Sequence, residues 1–258
     1  MSPARIQWVA FSTIVTKEIR RFTRIWQQTL LPLAITMTLY FVIFGQLIGS
    51  RIGQMGGVDY MSFIVPGLIM MSVITNAYAN VSSSFFSNKF QRSIEELLVS
   101  PTPNWVIIMG YITGGIFRGI VVGFLVFCVS GFFTKPEIHH FGIIVLFVIL
   151  TSIVFALGGL VNAIFAKKFD DVNIFPVFIL TPLTYLGGVF YSIQSLPPIW
   201  QNLSKLNPVL YLINGFRYGF YGFSDVDIVF SFLMLVVFMV VLLMISLFLM
   251  NKGIGLKE

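Results

Sequence analysis

Between residues 3 and 27 the apolar positions fall three or four apart, at Trp8, Phe11, Val15, Ile19, Phe22 and Trp26, with Lys17, Arg20, Arg21 and Arg24 mostly on other faces. That period predicts an amphipathic helix lying in a membrane interface, aromatics toward lipid and cations toward headgroups. Downstream the pattern gives way to long charge-free runs. Ile25–Ser50 and Phe141–Ala166 are 26 residues each, Val172–Ser204 is 33 and Ile228–Asn251 is 24. About 20 suffice for one helical crossing. The runs place spans at 29–50, 61–87, 110–133, 141–166, 173–193 and 228–250. The fold class expected is therefore all-α: a polytopic integral membrane protein of six transmembrane helices, each bonding its own backbone amides. A β-barrel would need short alternating segments instead.

Two stretches interrupt the apolar runs. In LPPIWQNLSKLNPVLYLINGFR (196–217), Ile199, Leu203, Leu206, Leu210 and Ile213 keep helical spacing, yet Pro197, Pro198 and Pro208 break the backbone and Lys205 and Arg217 carry charge. Short helical pieces are expected, their leucine seam buried against the bundle. Non-helical backbone at membrane depth must be shielded, so the stretch reads as a re-entrant outer segment before the last span. In SNKFQRSIEELLVSPTPNW (87–105), Arg92, Glu95 and Glu96 alternate with Ile94, Leu97 and Leu98, which suits a short amphipathic helix stopped by Pro101 and Pro103. A helix that docks a partner and an ordinary interfacial turn both fit.

Composition agrees with the pattern. The 258 residues are 57% hydrophobic and 10% charged, with a mean hydropathy of +0.92, where a soluble domain is about a quarter charged. The net charge of +6 fits orientation better than nucleic-acid binding, because the bases sit in short loops. With the N-terminus inside, eleven Lys and Arg fall on cytoplasmic segments (Arg5, Lys17, Arg20, Arg21, Arg24, Lys89, Arg92, Lys167, Lys168, Lys252, Lys257). Four fall outside, Arg51, Lys135, Lys205 and Arg217. Both termini are then cytoplasmic and no cleavable signal peptide is expected. Arg118 lies inside the third span, either snorkelling to headgroups or acting in a dimer contact or path. One domain, 1–258, is expected: interface helix 1–28, five spans over 29–193, outer segment 194–227, last span and tail 228–258.

Chemistry is mostly excluded. No G-x-x-x-x-G-K-[ST] occurs, so the chain lacks a P-loop for nucleotide hydrolysis. All ten carboxylates, Glu18 among them, fall at predicted loops or interfaces, which disfavours an ion relay. His139 and His140 read as a solvated loop pair and Cys128 as a small buried hydrophobe. Packing and a path remain. Gly115, Gly119 and Gly123, and beside them Gly110 and Gly114, form small-residue seams on the third span. Ser72, Asn76, Asn80 and Ser84 form a polar stripe on the second, and Thr181, Thr184, Tyr185 and Gly188 a polar set on the fifth; each set either lines a path or joins helices.

Gly187, Gly188, Leu196, Pro197, Leu206, Asn207, Pro208, Tyr211 and Arg217, in GGVFYSIQSLPPIWQNLSKLNPVLYLINGFR, together with SIEELLVSPTP (93–103) and the basic N-terminus, resemble the membrane subunits of type-2 ATP-binding-cassette transporters. The resemblance spans nearly the whole chain. It implies an exporter permease of a bacterial inner membrane that works as a homodimer with the path at its interface. Two separate ATPase subunits would bind ATP and Mg, leaving this chain neither an enzyme nor a holder of cofactor or metal. It further implies that Glu95, Glu96, Leu97 and Leu98, with Arg20 and Arg21, contact the ATPases, and that Leu206, Asn207, Pro208, Tyr211 and Arg217 mark short outer helices. Ser72, Asn76, Asn80, Thr181, Tyr185 and Arg118 are the candidates for path or helix packing. The rival readings are an ion-coupled secondary carrier or channel acting without an ATPase, and a non-transporting scaffold or lipid enzyme.

Overall fold

The computed structural model describes residues 2–256; Lys257 and Glu258 lie outside the described residues. Helix α1 (Pro3–Arg24) ends at Ile25, and α2 (Trp26–Tyr40) continues through wide π-helical turns, Phe41–Ile48, into α3 (Gly49–Ile52). A two-stranded antiparallel ribbon follows, β1 (Gln54–Met55) with β2 (Val58–Asp59). The purely helical expectation missed it. Its turn is Gly56–Gly57, with φ of +62° and +83°, the pair of positive φ values that a tight hairpin demands and glycine supplies.

Helix α4 (Tyr60–Phe90) starts where the Asp59 carboxylate accepts the Met61 N–H at 3.1 Å. Its 31 residues run about 46 Å at ~1.5 Å per residue, against a hydrocarbon slab of roughly 30 Å, so one end projects past the apolar layer. It is buried along most of its length and forms the axis of the bundle. Against it pack α6 (Asn104–Ser130) and α7 (Phe141–Phe165), while α5 (Ser93–Val99) crosses its far end. After α7 come α8 (Phe169–Phe175), a π-helical turn (Pro176–Leu180) and α9 (Thr181–Tyr185), then a 3-10 turn (Ile193–Ser195), α10 (Pro198–Ser204), α11 (Pro208–Tyr221) and α12 (Ile228–Lys252). The core has two parts. One lies at the hairpin end, around Phe41, Phe63, Phe147, Phe216 and Phe220. The other lies at the α5 end, around Phe85, Phe86, Tyr111 and Leu160.

Among the described residues five helices are long and apolar enough to cross a membrane: Trp26–Ile52, Tyr60–Phe90, Asn104–Ser130, Phe141–Phe165 and Ile228–Lys252. They match five of the six expected spans to within a few residues. The fifth expected span, 173–193, is different: its helical run begins at Phe169, takes a π-helical turn at Pro176–Leu180 and stops at Tyr185. Pro176 and Pro182 remove backbone donors, and Gly188 at φ +82° turns the chain away.

The outer faces of α2 and α12, with Leu31, Ile35, Val237 and Met244, are exposed, as hydrocarbon surroundings permit. Cys128 joins them on the open side of α6 rather than in the core.

Candidate functional site

At the α5 end, α1 does not lie free in an interface. Ile14, Glu18 and Phe22, four residues apart, form a buried line facing α6. Glycine makes the approach possible: a Cβ on Gly114 would stand 2.7 Å from the Glu18 Cβ, and one on Gly110 would stand 2.6 Å from Ile14. Phe22, expected in lipid, meets Phe117 edge-to-face with centroids 6.1 Å apart. Glu18 overturns the expectation that every carboxylate sits at a loop or interface, for it is 1% exposed. A buried charge needs a partner and hydrogen bonds. Glu18 has Arg21, 3.1 Å away, and accepts the Ser84 hydroxyl of α4. Arg21 also donates to the Asn80 side chain at 2.8 Å and to its carbonyl at 2.9 Å.

One turn along α4, the Asn76 side-chain oxygen accepts two bonds from the Arg118 guanidinium of α6, at 3.2 and 2.8 Å, and Arg118 lies 5.5 Å from the Phe22 ring centre. Arg118 is 8% exposed, so it is neither in solvent nor stretched to headgroups. Ser72 donates to the Leu68 carbonyl at 2.9 Å. Within the chain, three of the four stripe residues join α4 to α1 or α6, and Ser72, besides bonding its own helix, meets the Met37 sulfur of α2 at 3.5 Å.

Asn88, near the end of α4, is a second junction. Its side-chain oxygen accepts Lys17 of α1 at 2.9 Å, its amide donates to the Tyr111 hydroxyl of α6 at 2.6 Å, and its carbonyl accepts the Ser93 hydroxyl of α5 at 3.1 Å. Between Asn88 and Ser93 the chain reverses at Arg92. It is the only non-glycine among the described residues with positive φ, +60°, a conformation costing an L-residue about 1 kcal/mol or more. Helix α5 thus leaves α4 in a fixed direction, Ile94 buried, Leu97 and Leu98 half-buried, Glu95 and Glu96 exposed. A polar cavity of about 310 Å³ opens beneath it, lined by Lys17, Asn88, Ser93, Glu96 and Tyr111.

Beside it, the open face of α1 carries Thr16, Lys17, Arg20 and Arg24 around a shallow groove. Two contacts fix the neighbouring turn. Lys89 donates to the Ile164 and Ala166 carbonyls at 2.7 and 2.8 Å, capping α7. The Asp171 carboxylate accepts the Lys167 and Lys168 N–H groups at 2.8 and 2.9 Å, which holds its pKa below the usual carboxylate value. These bonds join the whole end into one mixed-charge platform.

At the opposite end the LNP…Y…R residues share one task. Each polar member satisfies a backbone carbonyl that the broken helices leave open. Asn207 caps α11 by accepting the Val209 N–H at 3.0 Å while donating to the Leu183 carbonyl at 2.6 Å. Tyr211 donates to the Lys205 carbonyl at 2.7 Å, and Arg217 to the Gly188 carbonyl at 2.7 Å, its guanidinium 3.9 Å from the centre of the Phe63 ring. Arg217, counted above with the loop bases, is therefore buried at 1% exposure. The leucine seam divides. Leu210 and Ile213 are fully buried, but Ile199, Leu203 and Leu206 are 80%, 53% and 79% exposed, because the break before Pro208 lets α10 turn off the axis of α11. Tyr185 and Tyr40 of α2 share a hydrogen bond at 2.7 Å, whereas Thr181 bonds only back to the Pro176 carbonyl at 2.8 Å.

Sequence reasoning missed Glu18 and Asn88. The signal for Glu18 was present: Ile14, Glu18 and Phe22 share the four-residue step of Gly110 and Gly114. Among the described residues no group of three or more His, Cys, Asp or Glu is gathered to hold a metal.

Residues 9–221 match the family model described as "ABC-2 type transporter". The chain is 60% identical over 253 residues, 98% of this chain and 99% of the relative, to a protein of Escherichia coli (strain K12) named inner membrane transport permease YadH. It is also similar to proteins named nodulation protein J. The one from Neorhizobium galegae is 22% identical over 191 residues (74% of this chain, 73% of the relative), and the one from Sinorhizobium fredii 25% over 174 (66% and 65%).

Proposed function

Because the chain belongs to the ABC-2 type transporter family, we propose that it is the membrane-spanning permease subunit of an ATP-driven exporter in a bacterial inner membrane. Two copies form the translocation path, and separate ATPase subunits, carrying ATP and Mg, dock on the α5 end. The observation that carries this reading is the Asn88 junction, at which one side chain ties α1, α4 and α6 together and its carbonyl holds the start of α5. A push on exposed Glu95 and Glu96 is thereby delivered to three helices, and the two copies shift between packings open to opposite sides.

The α5 end then faces the cytoplasm, which gives cytoplasmic termini if the α8–α9 run crosses together with the turn that follows it. Helices α10 and α11 form the re-entrant outer cover of the path. The name of the Escherichia coli relative supports the membrane and the transport role. In this reading the chain takes ATP energy from a partner rather than acting as an enzyme.

An ion-coupled carrier working alone finds one observation in its favour, the buried carboxylate of Glu18. Its location argues otherwise: Glu18 is paired with Arg21 on α1, outside the five apolar helices. Purification of the tagged chain from native membranes decides between them. An ATP-binding-cassette ATPase in stoichiometric amount supports the exporter. Its absence, with activity driven by an ion gradient in ATP-depleted vesicles, supports the carrier.

A further inference from the structure

The loop that follows α9, residues 186–193, crosses the hairpin end as a strap, held by polar bonds from three places. Arg217 of α11 donates to the Gly188 carbonyl at 2.7 Å, and the Tyr60 hydroxyl at the start of α4 donates to the Phe190 carbonyl at 3.0 Å. Beyond α11 the Asp225 carboxylate accepts the Ser192 hydroxyl at 2.9 Å and the Ile193 N–H at 3.0 Å. Between these bonds the strap lies on bare backbone, for a Cβ on Gly67 of α4 would stand 2.8 Å from the Val189 Cα.

The strap carries an aromatic ring. Phe190 sits 4.5 Å from Phe44, 5.8 Å from Tyr185 and 6.0 Å from Tyr40, centroid to centroid. This cluster closes one end of the only long open face on α4. That helix is buried almost all round, yet Thr75 and Ser83 are exposed on one side. Ser72, on the same side and nearer the hairpin, is 2% exposed because Met37 of α2 covers it. Met37, Tyr40 and Phe44 follow three and four residues apart on α2, so the cover over Ser72 continues into the aromatic cluster. A polar face open toward the α5 end is thus shut toward the hairpin end.

Arg217 has a cost that the core does not explain. Its guanidinium is buried, and Nε and Nη1 have no hydrogen-bond partner. A charge held so is expensive, and an apolar side chain would fill the space at less cost. The bond it does make goes to the strap, so the charge serves the position of that loop.

We propose that the strap is the outer gate of the path: Phe190 seals it against Tyr40, Phe44 and Tyr185, and Arg217 is the positioning residue that keeps the seal closed. The proposal rests on the reading that this chain forms a translocation path, and adds that the open face of α4 is its wall. Opening breaks the polar bonds of the strap and uncovers Val189, but unwinds no helix.

The test uses single cysteines in the full-length chain carrying Cys128→Ser, in sealed membrane vesicles of either orientation, treated with a membrane-impermeant sulfonated maleimide. Ser83→Cys should react from the α5 side. Ser72→Cys should be protected from the hairpin side, and Phe190→Ala or Arg217→Met should raise its rate there at least fivefold. Arg217→Lys keeps a cationic donor for Gly188 and should restore protection, a difference from methionine that loss of packing alone would not give. Leu160→Cys, fully buried at the α5 end, reports general unfolding and should stay protected in every variant. Should Arg217→Met expose it, Tyr60→Phe, which removes one bond to the strap, carries the test and should speed Ser72→Cys several-fold. Ser72→Cys reactive from the hairpin side in the otherwise native chain, or unchanged by Phe190→Ala, Arg217→Met and Tyr60→Phe alike, overturns the gate and leaves the path standing. Ser83→Cys that reacts with permeant N-ethylmaleimide but with the sulfonated reagent from neither side overturns the path along this face, and the gate with it.

Discussion

Lys17 of α1 donates to the side chain of Asn88 across 71 residues of sequence, at 2.9 Å. This bond, with those from Asn88 to Tyr111 and from Ser93 to Asn88, makes the amphipathic helix and the short helix α5 parts of one body. Replacing Asn88 by Ala leaves the Lys17 ammonium and the Tyr111 hydroxyl without their partner. The expected loss is about 1–3 kcal/mol, read as a lower midpoint in thermal unfolding of the purified chain. Cysteines placed on α5 should also become more reactive, because the helix loses its anchor.

Glu18 and Arg21 form a pair with a fully buried carboxylate, and removing one partner of such a pair costs about 3–5 kcal/mol. Arg21→Ala, which leaves the buried Glu18 carboxylate without its cation, should therefore destabilise the chain far more than Arg20→Ala, whose side chain is exposed. Glu18→Ala with Arg21→Met should recover part of the loss, since no lone charge is left. Comparative unfolding of the three variants in one detergent measures this.

Gly114 tests the same packing from the other side. A leucine there forces α1 away from α6, for even the Cβ meets Glu18 at 2.7 Å. Overpacking of this kind costs about 1–3 kcal/mol, and limited proteolysis should cut the N-terminal segment of Gly114→Leu before that of the native chain. Gly142→Leu, with nothing within 4 Å of its Cβ position, is the matched control and should leave the digestion pattern unchanged.

Arg92→Gly separates strain from stability. Glycine adopts φ +60° without the clash of a Cβ, so the variant should be as stable as the native chain or more so by up to ~1 kcal/mol. The turn is then looser, and the expected result is weaker transmission: less response of bound ATPase activity to the permease at unchanged stability.

Most of the spans were legible because charge-free runs of 24 residues or more are hard to mistake, and the third, interrupted by Arg118, because the apolar stretch beyond that arginine is too short to cross alone. The fifth expected span does not stand as one long helix, because hydropathy counts Pro176, Pro182, Gly187 and Gly188 as tolerable members of an apolar run, although the helical run takes a π-helical turn at Pro176–Leu180 and ends at Tyr185, ahead of the two glycines. The docking of α1 was not legible from apolar spacing, because its buried line contains a glutamate and its partner surface is made of glycines. The seam from Ile199 to Ile213 failed at a single break, before Pro208, beyond which spacing alone cannot continue a face. The role of Asn207, Tyr211 and Arg217 in closing backbone carbonyls needed the three-dimensional course of the broken chain.

The central claim is that α5 carries force from an ATPase, and a cross-link from position 96 tests it most directly. In membranes containing both subunits, Glu96→Cys should form a bond to a cysteine-reactive residue or probe on the ATPase within minutes, and Glu96→Lys should weaken co-purification of the ATPase about tenfold, a change of ~1.4 kcal/mol. The membrane fold should stay intact, because the side chain is exposed. No cross-link from position 96, together with undiminished ATPase binding by Glu96→Lys, would contradict the account.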